Sequence, residues 1–145
     1  MKIKFSIFMP LVLMLLLNGC VLFTSHYDAT RHENFTRLKA MHFKLFDNWS
    51  EASDRVWKES EVSAYCDKGD LSFREAFEYA KSKDDSDKTG QKAVKILWEE
   101  FTANCKFSLK KKKLFSQAFL KELTPQIELN YNYAIAGELS RVVAR

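Results

Sequence analysis

The sequence predicts an all-α protein, a small antiparallel bundle of about four helices linked by a disulfide. Three observations carry that expectation. Apolar residues recur at steps of three and four over long stretches. No segment alternates with the period of two that a half-buried strand requires. Helix breakers are scarce: beyond residue 20 the chain has only Gly69, Gly90, Gly137 and Pro125.

The helical domain is expected over residues 30–145. Thr30 stands three residues before Glu33, the capping-box spacing in which two side chains satisfy two orphan amides at a helix start. Apolar residues follow at 35, 38, 41, 45, 46, 49, 52 and 56, one face of a long first helix that continues, more polar, through Cys66. Asp67-Lys68-Gly69-Asp70 has the composition of a stop and turn. Ser72 with Glu75 repeats the capping box, and Phe73, Ala76, Phe77 and Ala80 give a short second helix its apolar face, ending near Lys83. The polar stretch from Asp84 to Gly90 reads as a loop. Val94, Leu97, Trp98, Phe101 and Cys105 then line a third helix from Gln91 to Lys106. Residues 107–123 permit either a helix, through Leu114, Phe115, Ala118, Phe119 and Leu123, or an irregular stretch. Thr124-Pro125 predicts a fresh start, because proline at the first helical position loses no hydrogen bond. Ile127, Tyr131, Ala134, Ile135 and Leu139 carry the last helix towards Val142, weakened slightly by Gly137.

The first twenty residues differ in character. Lys2 and Lys4 precede an apolar stretch from Phe5 to Leu17, broken only by Ser6 and Pro10. As a helix it would be roughly 20 Å long at about 1.5 Å per residue, against a hydrocarbon core of ~30 Å. It has the shape of a removable export signal. Behind it, Leu17-Asn18-Gly19-Cys20 resembles the lipobox of bacterial lipoproteins, in which signal peptidase II cuts before an acylated cysteine. Asn18 is the departure from the usual pattern, and an ordinary signal peptide or signal anchor with an incidental Cys20 is the competing reading. The resemblance implies that residues 1–19 are discarded, that Cys20 carries the lipid (palmitate among its chains), and that residues 20–29 form a tether. One acyl chain binds a membrane only marginally at about 0.8 kcal/mol per buried CH₂, so the several chains of this class would anchor the protein to the bilayer durably. The class also implies a destination. Val21 stands where an aspartate would retain the protein at the inner membrane, so the expected location is the outer membrane, facing the periplasm.

Charge and cysteines fit that compartment. The formal charge of +4 falls by the two signal lysines to +2, which leaves no electrostatic case for nucleic acid. With Cys20 taken by lipid, Cys66 and Cys105 remain as an even pair where disulfides persist, and we expect them bonded. Closing a loop of about 40 residues would contribute roughly 3–4 kcal/mol by the chain-entropy estimate. Two buried free thiols are the alternative. With Cys66 at the end of the first helix and Cys105 at the end of the third, an up-down-up bundle would bring both to one pole.

No motif for chemistry emerges, so no catalytic residue, cofactor or metal is expected. There is no Gly-x-Ser-x-Gly elbow, phosphate loop or His-Glu-x-x-His. His32 and His42 miss a shared helix face by roughly 80° at 100° per residue, so they read as surface or partly packed histidines; His26 lies in the tether. Glu99 and Glu100 diverge as a solvated edge would. Lys110 to Lys113 is the one strong charge run. It reads as a contact for anionic headgroups or an acidic partner, or more simply as a solvated turn. Phe35, Phe46, Trp49, Phe77, Trp98 and Phe101 fall at core spacing. Phe43, Trp57 and Tyr79 lie off those stripes and are the candidate partner-binding anchors.

Tyr27-Asp28-Ala29-Thr30, with Asn34 to Ala40, resembles a set of small helical lipoproteins of Gram-negative bacteria, which implies the fold and no chemistry. In architecture the chain is also similar to helical pilotins, disulfide-bonded lipoproteins that escort outer-membrane secretins. The expected function is therefore a membrane-anchored, non-enzymatic lipoprotein acting on an envelope protein as a binding or accessory factor. A pilotin-like chaperone, an immunity or exclusion lipoprotein, and a structural cell-wall lipoprotein are the alternatives.

Overall fold

Asp28 starts the first helix: its carboxylate accepts from the backbone amides of Thr30 at 3.0 Å and Arg31 at 3.1 Å. A cap of this kind is worth about 1 kcal/mol. The cap therefore falls two residues before the capping box expected at Thr30 and Glu33. In the computed structural model, which describes residues 27–83 and 88–143, four helices follow in order: α1 (Ala29–Trp49), α2 (Glu59–Lys83), α3 (Lys88–Lys111) and α4 (Gln117–Val143). Residues 1–26, including the signal segment, Cys20 and His26, lie outside the described residues, as do 84–87 of the expected loop. α1 packs on α2 and α4, and α3 packs on the same two from the other side, giving a four-helix bundle without a strand among the described residues. No helix among them is long and apolar enough to cross a membrane.

The first break falls at residues 50–58 and not at 67–70. Trp49 ends α1 because its carbonyl accepts from Phe115 N at 2.8 Å, and Glu51 N donates to Phe115 O at 2.9 Å. This short parallel bridge draws the chain out of the helix, and no local signal competes with it. α2 then starts with Glu59 and Glu61 in its first turn, where carboxylates meet the positive end of the dipole. It runs straight through the expected stop. Val62, Cys66, Gly69, Phe73, Ala76 and Ala80 form one buried row at helical spacing, and that row outweighs the turn-like composition of Asp67 to Asp70. Gly69 serves close packing, not a turn: a Cβ there would overlap the Phe101 ring of α3. Ser72, expected as a cap, lies inside the helix and donates to Lys68 O at 3.2 Å.

Cys66 and Cys105 are disulfide-bonded, with Cα atoms 5.9 Å apart. They do share a pole, but because Cys66 lies near the start of α2 and Cys105 near the end of α3, not because Cys66 ends the first helix. Lys88, Thr89 and Gly90, expected in the loop, are already helical.

Residues 107–123 resolve into the end of α3, a tight turn and the start of α4. Lys112 N donates to Ser108 O at 2.9 Å, and Lys112 takes φ 51°, the left-handed cap that glycine ordinarily fills. A side chain there costs on the order of 1 kcal/mol. Ser116 caps α4 through Phe119 N at 3.3 Å. Pro125 is consequently inside the helix and not at its start. The lost backbone bond is offset by burial of the preceding turns. Phe119 stacks on Phe107 with centroids 4.7 Å apart, and Phe115, fully buried, joins the same stack.

Two substitutions test this packing. Gly69→Val should lower unfolding free energy by about 2 kcal/mol, the usual cost of overfilling a packed core. Lys112→Gly should raise it by about 1 kcal/mol by relieving the left-handed side chain. Denaturant titration of both variants reads the two signs.

Candidate functional site

Two polar residues on the buried face of α1 organise the interior. His42 is fully buried, which corrects the expectation of a surface or partly packed ring. The Asn104 side-chain amide of α3 donates to its Nε2 at 3.0 Å, which leaves Nδ1 to donate to the Tyr131 hydroxyl of α4 at 3.1 Å. Burial pushes the His42 ring down to about 3, so it is neutral. Burial, with the Glu100 charge nearby, also raises the Tyr131 phenol. All three side chains are buried, and their bonds tie α1 to α3 and α4 and so fix helix register. The second residue is Arg31, whose Nη1 donates to Glu138 Oε1 of α4 at 3.0 Å, both side chains being almost wholly buried. Arg141 approaches the same carboxylate at 3.8 Å. Gly90 is small because the Arg31 guanidinium lies against it; a Cβ would sit 2.9 Å from its central carbon.

This ion cluster closes one end of a groove between α3 and α4 with a volume of about 250 Å³. Phe35 and Leu97 form its floor, and Ala93, Ala134 and Gly137 keep it open. A Cβ at Gly137 would meet nothing within 4 Å. Ile96 and Tyr133 stand on the two rims at 43% and 68% exposure, and Leu129, one turn before Tyr133, continues the apolar surface along α4 at 48%. At the other end, the Asn130 amide donates to Glu100, whose carboxyl burial raises despite that bond. Glu100 is therefore half-buried, and of the expected solvated pair only Glu99 is exposed. A second depression along α2 and α3 is bordered by Asp70, Lys95, Glu99 and Lys106, and Trp98 closes it by donating to Asp70 at 2.8 Å. The α3–α4 groove is the more apolar of the two and carries the exposed rim.

The three expected anchors are not brought together. Tyr79 lies at the pole where α1 starts, donating to Asp28 at 2.9 Å under the Lys83 ammonium. Burial works to raise the Asp28 carboxyl, but Tyr79, the Arg31 amide and Lys83 hold it below the usual carboxylate range. Trp57 is at the opposite pole, its indole donating to Ser108 at 3.2 Å. Phe43 sits half-buried on α1 against Phe46, with Lys39 over its ring. Lys39 bonds Glu128 and Asn132, which places Phe43 near the α1–α4 seam. Sequence reasoning missed Ile96 and Tyr133; the signal was a second apolar row on α4, Leu129, Tyr133 and Ala136, off the main stripe. Among the described residues, no group of three or more His, Cys, Asp or Glu is placed to hold a metal ion. No family model, curated protein or solved structure matches the chain.

The buried histidine makes stability depend on pH. Its folded value lies below the unfolded one, so the unfolded chain binds the extra proton and stability is lost as pH falls below about 6.5. Denaturant titrations between pH 6.5 and 5 should show a loss of about 2 kcal/mol, at about 1.4 kcal/mol per pH unit. The loss should be largely absent in His42→Gln.

Proposed function

We propose that this chain is a lipid-anchored envelope protein that works by binding another protein through the α3–α4 groove and the adjoining face of α4. The observation that carries the reading is the pair of exposed rim residues, Ile96 and Tyr133, over an apolar floor. A helix apolar on more than one side ordinarily has more than one side covered. In α4, Ile127, Tyr131 and Glu138 are buried in the bundle while Leu129, Tyr133 and Leu139 face outward. Burying such side chains is worth roughly 1.5–3 kcal/mol each, enough for a few anchors to dominate an interface. The anchor reading is supported by the lipobox-like Leu17 to Cys20, and the groove lies at the pole where the chain enters α1.

Anchor and groove are tested separately. Cys20→Ser should abolish acyl-label incorporation and leave an unprocessed precursor; labelling that survives the change would refute the anchor. A photo-crosslinking side chain placed at Tyr133 should capture one dominant envelope protein that the same probe at Glu75, exposed on α2, does not. Gly137→Leu starts from a Cβ with nothing within 4 Å and should weaken that capture about tenfold, equivalent to about 1.4 kcal/mol, by occupying the groove. Equal capture from both positions, unaffected by Gly137→Leu, would remove the groove from the function.

A further inference from the structure

We propose that the pole formed by Lys110, Lys111, Lys112 and Lys113 is a docking surface for a polymer of repeated carboxylates, such as the peptide stems of a cell wall. All four lysines are exposed at the turn from α3 to α4. The negative end of the helix dipole accounts for cations in the last turn, Lys110 and Lys111. It does not call for a lysine at the cap itself, Lys112, nor for Lys113 one residue further out. Lys112 occupies the left-handed position at φ 51° where glycine would be the more stable residue. Its one ion pair, 3.6 Å to Glu59, joins side chains 67% and 61% exposed, too solvated to repay that strain. Lys110, Lys111 and Lys113 make no ion pair among the described residues. A strained backbone kept for a side chain points to what the side chain meets outside the chain.

The chemistry of the run selects the partner. Lysines are flexible, hydrated point charges, and the run contains no guanidinium fork for a single oxyanion and no ring on which a base would stack. Such a surface suits a field of spaced negative charges. The geometry then separates a polymer from the anchoring membrane, and here the inference rests on the Cys20 reading. α3 has 24 residues and is roughly 36 Å long, and the lysines stand at its far end from the start of α1. The nine residues from Cys20 to Ala29 reach at most about 32 Å when fully extended. With the bundle upright on that tether, an inverted placement would need more than this reach, so the lysine pole is then the end furthest from the bilayer.

The test uses the full-length protein, extracted in detergent and mixed with purified peptidoglycan sacculi. It should co-sediment at low salt and be released at 1 M salt, where the screening length is about 3 Å. K110Q/K111Q/K113Q should sediment about tenfold less with unchanged thermal unfolding. Lys112→Gly should melt higher and bind more weakly, which separates the charge from the fold. In parallel, the C20S variant is mixed with vesicles rich in phosphatidylglycerol, so that acyl chains contribute nothing. Sedimentation of the triple variant like the parent, or lysine-dependent capture by vesicles and not by sacculi, would overturn the proposal. Unacylated parent that still sediments with sacculi through these lysines would overturn the anchor and support the lysine pole.

Discussion

Desolvation of the polar residues on the inner face of α1 constrains everything else in this bundle. A buried guanidinium or imidazole must find its partner inside, and breaking such a buried ion pair costs about 3–5 kcal/mol. Arg31 finds Glu138 on α4, and His42 finds Asn104 on α3 and Tyr131 on α4. At the end of α1, Trp49 and Glu51 bond the backbone of Phe115. These ties are spread along the whole length of α1, so α4 has one register against it. That register sets which side chains of α4 face α3, and so sets the groove.

The remaining helix pair is fastened differently. α2 and α3 are crosslinked by Cys66–Cys105 and packed closely through Gly69 on Phe101. The bundle thus contains one seam secured by buried polar contacts and one secured by a covalent bond. Between α3 and α4 the groove is lined by Gly90, Ala93, Ala134 and Gly137, with the Glu100–Asn130 bond spanning the two helices at one end. The apolar cleft lies where the two fastened pairs meet. Its position follows from how each pair is held.

The all-α class and the disulfide were legible because both rest on sequence-local signals: helical spacing, and two cysteines left as a pair. Helix boundaries were less so. Gly69 and Pro125 carry the composition of a stop and of a start, but the buried row from Val62 to Ala80 and the rings of Phe107, Phe115 and Phe119 outweigh them. The end of α1 at Trp49 depends on Phe115, 66 positions further on and unreachable by any local pattern. A separation of 107 positions likewise hides Glu138 behind Arg31, since an isolated glutamate on a helix reads as solvated until its partner is placed. Phe43, Trp57 and Tyr79 were singled out for lying off the core stripes, a criterion that also selects residues with internal hydrogen-bond partners. Tyr133 met that criterion equally well and is the one left facing water.

Gly137 and Lys112 share one property that links the two surfaces. Glycine inside a helix costs about 1 kcal/mol relative to alanine, and a cost of that kind is usually repaid by a close approach. Gly69 and Gly90 are repaid in this way, by Phe101 and Arg31. Gly137 has open space around it and lines the groove. Lys112 likewise forgoes the stability glycine would give and gains a weak, solvated contact with Glu59. A sequence specifies its fold when local preferences agree with the global structure, and departures concentrate where function is carried. In this chain both departures lack a return within the bundle. One lies at the groove near the start of α1 and the other at the lysine pole beyond the end of α3, the two surfaces proposed above to meet different partners at either end of the molecule.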